Sequence, residues 1–215
     1  MVTLAKPFDA RTALVVVDVQ NDFADPRGSL YVAGGEQIVG ELNELVRLAS
    51  EAGALVVYTQ DWHPPVTPHF RKHGGIWPVH CVRDSWGAQF HPQLQVRGDV
   101  IRKGTGGEDG YSGFSFRHPI TGAEGRTGLE ALLRSRGIQR VVVVGLATDY
   151  CVKETALDAV QLGFETAVIE RATRAVNLKP GDDREALAQL ERAGVEVQRS
   201  ATGVDSQAAA DHPGL

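Results

Sequence analysis

Apolar runs of strand length recur along the chain and alternate with stretches in which apolar residues fall at helical spacing. Residues 13–18 (ALVVVD), 54–60 (ALVVYTQ) and 140–145 (RVVVVG) are short and rich in β-branched side chains. Residues 99–103, 165–170 and 195–198 form weaker runs of the same kind. An unbroken valine run has no polar face to give to water, so it predicts a strand covered on both sides, as in a parallel sheet. Between these runs, residues 37–52, 128–136, 149–162 and 183–193 carry the helical period. Gly53, Gly137, Gly163 and Gly194 stand just past the helix ends, where a left-handed residue commonly closes a helix. The alternation predicts a three-layer α/β/α domain, Rossmann-like, on a mostly parallel sheet. That single domain is expected to fill residues 1–200, with residues 201–215 (ATGVDSQAAADHPGL) as a flexible tail.

One segment breaks the rhythm. Residues 61–98 contain no convincing helix or strand and are rich in histidine, tryptophan and proline. A structureless connection of that length inside a compact domain is uncommon and usually functional. The site is expected there.

Composition narrows the class without naming the chemistry. A chain of 215 residues, 42% hydrophobic and 23% charged, suits one globular domain with a substantial core. A net charge of −5 offers no attraction for nucleic acid or an anionic membrane, so neither is an expected partner. No apolar run approaches the ~20 residues that span a bilayer, and residues 1–9 lack the pattern of a secretory signal. Cys81 and Cys151 form no Cys-x-x-Cys pair, which predicts free thiols in a reducing, cytoplasmic setting.

In open parallel sheets, ligands bind beyond the carboxyl ends of the strands. Those ends carry Asp18, Asp61 and Lys103, and Cys151 follows Gly145 by a few residues. Thr148 or Asp149 is the expected N-cap of the helix that follows, placing Cys151 in its first turn, where the positive helix end favours a thiolate. Each residue alone reads as ordinary: a buried cysteine, a capping aspartate, a surface lysine. Together they make a nucleophilic site, since a carboxylate can take the thiol proton and later return it to a leaving amine, while an ammonium keeps that carboxylate charged.

A second constellation is Asp61-Trp62-His63, then His69, then Trp77-Pro78-Val79-His80. Carboxylate and imidazole donors suit one borderline divalent ion, zinc first, with iron or manganese as alternatives. His73, His91 and Cys81 share the segment and are alternative donors, although Cys81 reads as buried. Lys103-Gly104-Thr105-Gly106-Gly107 is not a phosphate loop, because its lysine precedes the glycines and no Gly-Lys-Ser/Thr closes it. It reads instead as a loop leading to Tyr111-Ser112-Gly113-Phe114.

The ordered set Val17-Asp18-Val19-Gln20-Asn21-Asp22-Phe23, Asp61-Trp62-His63, Trp77-Pro78-Val79-His80-Cys81, Lys103-Gly104, Tyr111-Ser112-Gly113-Phe114 and Gly145-Leu146-Ala147-Thr148-Asp149-Tyr150-Cys151-Val152 resembles the nicotinamidase/pyrazinamidase branch of the isochorismatase-like cysteine hydrolases. The resemblance covers roughly residues 12 to 200. It implies a six-stranded sheet of order 3-2-1-4-5-6, which leaves the strand of Lys103 two places from that of Asp18. It implies a catalytic triad of Asp18, Lys103 and Cys151, and an oxyanion hole from the backbone N–H groups of Ala147 and Cys151. It also implies metal ligation by Asp61, His63, His69 and His80, ring contacts from Phe23, Trp77 and Tyr111, and a cis peptide between Leu146 and Ala147. The implied reaction is hydrolysis of nicotinamide, and of pyrazinamide, through a cysteine thioester, with homo-oligomerisation left open. This chain departs from the family pattern in a short loop between His69 and Trp77, and in Glu108 and Asp109 just before Tyr111. Rival readings are another small-amide or N-carbamoyl amidohydrolase, an isochorismatase, or a non-catalytic binding domain. The last two have no use for both the cysteine triad and the ligand set.

Overall fold

The structure is a computed structural model that describes residues 6–199, so the tail expected at 201–215 lies outside the described residues. Its strands are β1 (Thr12–Val17), β2 (Leu55–Asp61), β3 (Asp99–Lys103), β4 (Ser115–Arg117), β5 (Glu124–Arg126), β6 (Arg140–Leu146), β7 (Glu165–Arg174) and β8 (Glu196–Gln198). Its α-helices are α1 (Asn21–Ala24), α2 (Val39–Glu51), α3 (Leu129–Ser135), α4 (Lys153–Gln161) and α5 (Asp182–Arg192). Six strands make one sheet of order β3-β2-β1-β6-β7-β8, which is the expected 3-2-1-4-5-6 order. Every pairing within it is parallel.

The valine runs explain the layering. In a strand successive side chains point to opposite faces, so β1 must bury both. Leu14 and Val16 pack with Leu42, Leu45 and Val46 of α2 on one side. Ala13, Val15 and Val17 face the opposite way, with Leu129 and Leu133 of α3, Ala156 of α4 and Leu190 of α5. Burying such side chains on both faces, at ~1.5–3 kcal/mol each, fixes the central strands as the rigid floor of the molecule.

Three differences from the sequence reading have physical causes. Strand β7 runs on to Arg174, past the apolar run, because a register shift between Val143 and Gly145 lets Thr173 and Arg174 pair with Gly145 and Leu146. Glu170, Arg171 and Arg174 lie there at the half-buried rim, where a strand needs no apolar side chains. The β4–β5 hairpin was not expected, being short and polar. Cys151 lies not in a capped α-helical turn but in a π-helical turn, Thr148–Val152, and α4 begins only at Lys153. Neither Thr148 nor Asp149 caps it. The Asp149 carboxylate instead accepts the backbone N–H groups of Val176 (2.9 Å) and Asn177 (2.8 Å), tying this turn to the β7–α5 loop.

Gly145 marks a close backbone approach between β6 and β1. Its φ is +109°, and a Cβ there would stand 2.3 Å from the carbonyl oxygen of Val17. Gly145→Ala is therefore expected to destabilise the fold by about 3 kcal/mol or more, through overpacking and an unfavourable φ together. Chemical denaturation measures this, and a loss under about 1 kcal/mol would show that the strands can part without cost. No described helix is long and apolar enough to cross a membrane.

Candidate active site

The segment following β1 spends almost every residue on the site. Asp18 leaves the strand end with φ +50° and is fully buried. Its Oδ1 accepts the Thr59 hydroxyl at 2.7 Å. Gln20 clamps the backbone of Asp61, accepting its N–H (2.8 Å) and donating to its carbonyl (2.8 Å). Asp22 accepts the N–H of Cys81 at 2.7 Å, which anchors the loop carrying His80. One short stretch thus holds the ends of β1 and β2 and the long loop in register.

The gap between Asp18 and Lys103 is closed by the lysine side chain. Asp61 and Lys103 are register partners on β2 and β3, so the lysine starts beside Asp61. Its Nζ lies 2.5 Å from Asp61 Oδ1, 2.8 Å from Asp18 Oδ2 and 3.6 Å from Cys151 Sγ, and it donates to the Gly110 carbonyl at 2.6 Å. The four-carbon stem spans the intervening strand. Gly104 follows because a Cβ there would meet the His63 ring at 2.4 Å.

Burial sets the charges. Desolvation raises the Asp18 carboxyl to about 6, against the pull of Lys103. Burial also pushes on Asp61, but the Lys103 ammonium, with His63 beside it, holds that carboxyl well below the usual carboxylate range. Burial alone would discharge Lys103, yet the two carboxylates keep it firmly protonated. The Cys151 thiol is pushed well above its ordinary value by burial, with Lys103 opposing. Cys151 therefore rests as a neutral thiol next to a carboxylate able to accept its proton. This differs from the thiolate expected of a helix start, because desolvation outweighs any helix-end field.

His63, His69 and His80 form a buried cluster whose ligand atoms all lie within 4.8 Å of one another. Ring centroids are 4.7 Å apart for His63–His69, 5.1 Å for His63–His80 and 5.3 Å for His69–His80. Asp61 reaches the edge of the cluster, its Oδ2 3.7 Å from His63 Nε2 and 4.0 Å from His80 Nε2. Burial lowers His80 to about 4 and also lowers His69, so both rings are neutral donors at neutral pH. Both ring nitrogens of His63 are buried with no hydrogen-bond partner among the described residues. Buried polar groups are rarely left unpaired, and neutral imidazoles with a carboxylate suit a borderline divalent cation. The donor set fits such an ion. Phe70, fully buried, packs edge-on against His63 and His80 behind it.

The alternative donors stand elsewhere. His73 is exposed in the 3₁₀ turn Arg71–His73. His91 is buried outside the cluster, its Nδ1 accepting the N–H of Gln93 at 3.4 Å. Cys81 is fully buried, with Sγ 3.8 Å from the Gly87 carbonyl.

A narrow cavity joins the thiol to the histidines. Of Asp18, Lys103 and Cys151 only Cys151 lines it, at 8% exposure against 0% for Asp18 and 1% for Lys103. Phe23, Trp77 and Tyr111 form its walls, and Trp77 Nε1 donates to the Tyr111 hydroxyl at 2.8 Å. Sequence reasoning missed Leu30, Val32, Tyr150 and Val176, which complete the lining. Tyr150 sets its ring edge-on to Trp77 at 4.9 Å. It also missed Asp109 as a contact of His69, at 2.5 Å between Oδ1 and Nδ1. The Leu146–Ala147 peptide at the cavity floor is cis, as the motif resemblance implies.

The isochorismatase domain family matches residues 12–202. The chain belongs to the isochorismatase family. Among its relatives in that family, the nicotinamidase of Escherichia coli (strain K12) is 37% identical over 213 residues, covering 91% of this chain and 98% of the relative. The crystal structure of PnC1 from L. infantum in complex with nicotinate is 39% identical with a TM-score of 0.83, covering 92% of this chain and 98% of that one. The pyrazinamidase of Pyrococcus horikoshii in complex with zinc is 39% identical with a TM-score of 0.77, covering 88% and 99%. The branch read from the ordered motifs is borne out.

Proposed function

We propose that the protein is a nicotinamidase, a cysteine amidohydrolase that converts nicotinamide, and pyrazinamide, to the carboxylic acid and ammonia. The observation that carries the reading is one narrow cavity with a triad-backed thiol on one side and a buried three-histidine cluster on the other. Phe23 and Trp77 line that cavity, and in this reading the substrate ring would lie between them with its carboxamide toward Cys151. Nicotinate, the product, would then re-enter NAD synthesis in the cytoplasm.

Asp18 takes the proton of Cys151, and Sγ attacks the carboxamide carbon. The carbonyl oxygen becomes an oxyanion held by the backbone N–H groups of Ala147 and Cys151. As the C–N bond breaks, Asp18 returns its proton to the departing ammonia and a thioester remains. Asp18 then deprotonates a water that attacks the thioester, releasing the acid and restoring the thiol. Lys103 stays charged throughout, 2.8 Å from Asp18, and favours its ionised form between proton transfers. Asp61, His63, His69 and His80 would hold one divalent ion, zinc foremost, which when bound supplies a Lewis acid for the ring nitrogen.

The test is ammonia release from nicotinamide and pyrazinamide across pH. Turnover of both is expected, with kcat/KM falling as pH drops through about 6, because protonated Asp18 cannot accept the thiol proton. No ammonia from either substrate would overturn the reading. Full activity at pH 4 would remove Asp18 from the role of base.

A further inference from the structure

We infer that Asp109 is a positioning residue for the histidine cluster, fixing the His69 ring and thereby setting the affinity of the site for a divalent ion. The inference rests on the metal reading proposed above and adds a residue outside its ligand set. His69 has no regular element to hold it, and its own backbone N–H is tied only to the Thr67 hydroxyl at 3.1 Å. Its ring needs an outside partner. Asp109 Oδ1, 40 positions along the chain, meets His69 Nδ1 at 2.5 Å and leaves Nε2 as the free nitrogen. His80 solves the same problem locally, with Nδ1 against the Pro78 carbonyl at 2.8 Å. An anionic partner does more than a carbonyl: it fixes the tautomer, and it makes the opposite nitrogen a stronger donor.

Asp109 is itself well placed for the task. Its backbone pairs in both directions with Arg117 of β4, each hydrogen bond 2.8 Å long, so the hairpin holds the carboxylate in place. The two residues that follow reach the rest of the site. The Gly110 carbonyl accepts Lys103 Nζ at 2.6 Å, and the Tyr111 hydroxyl accepts Trp77 Nε1 at 2.8 Å. Three consecutive residues therefore touch a histidine of the cluster, the triad lysine and the aromatic wall. The Asp109 side chain is 34% exposed and the His69 ring it meets is neutral, so replacing Asp109 strands no buried charge, only the His69 Nδ1–H.

The experiment measures zinc affinity of the metal-free protein by competition with a chromophoric chelator, for wild type, Asp109→Ala and Asp109→Asn. Visible spectra of the cobalt(II) forms serve as a second readout. Asp109→Ala is expected to weaken zinc binding about 10- to 100-fold, to shift the cobalt(II) spectrum, and to leave the metal-free protein folded with a cooperative melt. Asp109→Asn, which keeps an acceptor oxygen but loses the charge, should fall between alanine and wild type. Zinc affinity within about twofold of wild type in the alanine variant overturns the inference, as does unchanged affinity in the asparagine variant should the alanine protein not fold. A wild-type protein that takes up neither zinc nor cobalt overturns the metal reading itself. The two failures are thus told apart.

Discussion

Cys151→Ala protein is expected to fold, to bind its ion, and to release no ammonia from nicotinamide above background. Of Asp18, Lys103 and Cys151 only the thiol lines the cavity, so in the proposed mechanism its loss removes the atom that forms the bond to the substrate carbon. Removing a catalytic nucleophile typically costs on the order of 10⁴-fold or more in kcat, because the remaining groups act only through it. The substitution should cost little stability, since it removes a single sulfur atom at the cavity wall. An unchanged melting transition and metal content would separate lost chemistry from a lost fold. Retention of more than about a tenth of wild-type kcat, a loss under ~1.4 kcal/mol of transition-state stabilisation, would remove Cys151 from the nucleophile role.

What was legible in the sequence divides along physical lines. Strands β1, β2 and β6 announced themselves, because a strand buried on both faces must be apolar throughout. That Asp18 and Lys103 meet near Cys151 was foreshadowed by the strand ends, where both are polar residues directly after or within such runs. The path by which Lys103 reaches Asp18 was not legible. It depends on the register that sets Asp61 beside Lys103, and hydrophobic patterning does not encode register between distant strands. Asp149 was misread for a related reason: a carboxylate near a helix start can cap it locally, but this one serves Val176 and Asn177 across the fold. Leu30, Val32 and Val176 look like core residues in any sequence, and only folding distinguishes a cavity wall from a core. Phe70 and Asp109 support the histidines from behind, and nothing in their own neighbourhoods marks them.

Nicotinamide is expected to exceed benzamide in kcat/KM by more than a hundredfold, and removing the ion should collapse most of that gap. The two molecules share a carboxamide and nearly a shape, but benzamide has no ring nitrogen to meet the histidine cluster. If an ion held by Asp61, His63, His69 and His80 grips that nitrogen, a bond worth ~3 kcal/mol corresponds to a factor of over a hundred. An ion that instead activated water against the carbonyl would serve both substrates alike, and chelation would then lower both in proportion. In that case no acyl-enzyme on Cys151 should ever be trapped by mass spectrometry. Proportional loss with no trapped thioester would therefore overturn the proposed division of labour. Chelation could also act by loosening the wall, since Phe70 packs on the histidines and pairs with Trp77. That loosening would harm both rings equally, because both would lie against Trp77 in the proposed pose, whereas loss of the nitrogen contact harms nicotinamide alone. The ratio of the two kcat/KM values, measured on metal-free protein with an unchanged far-UV spectrum and a cooperative melt, is thus the quantity that separates the ion's grip on the ring from its support of the loop.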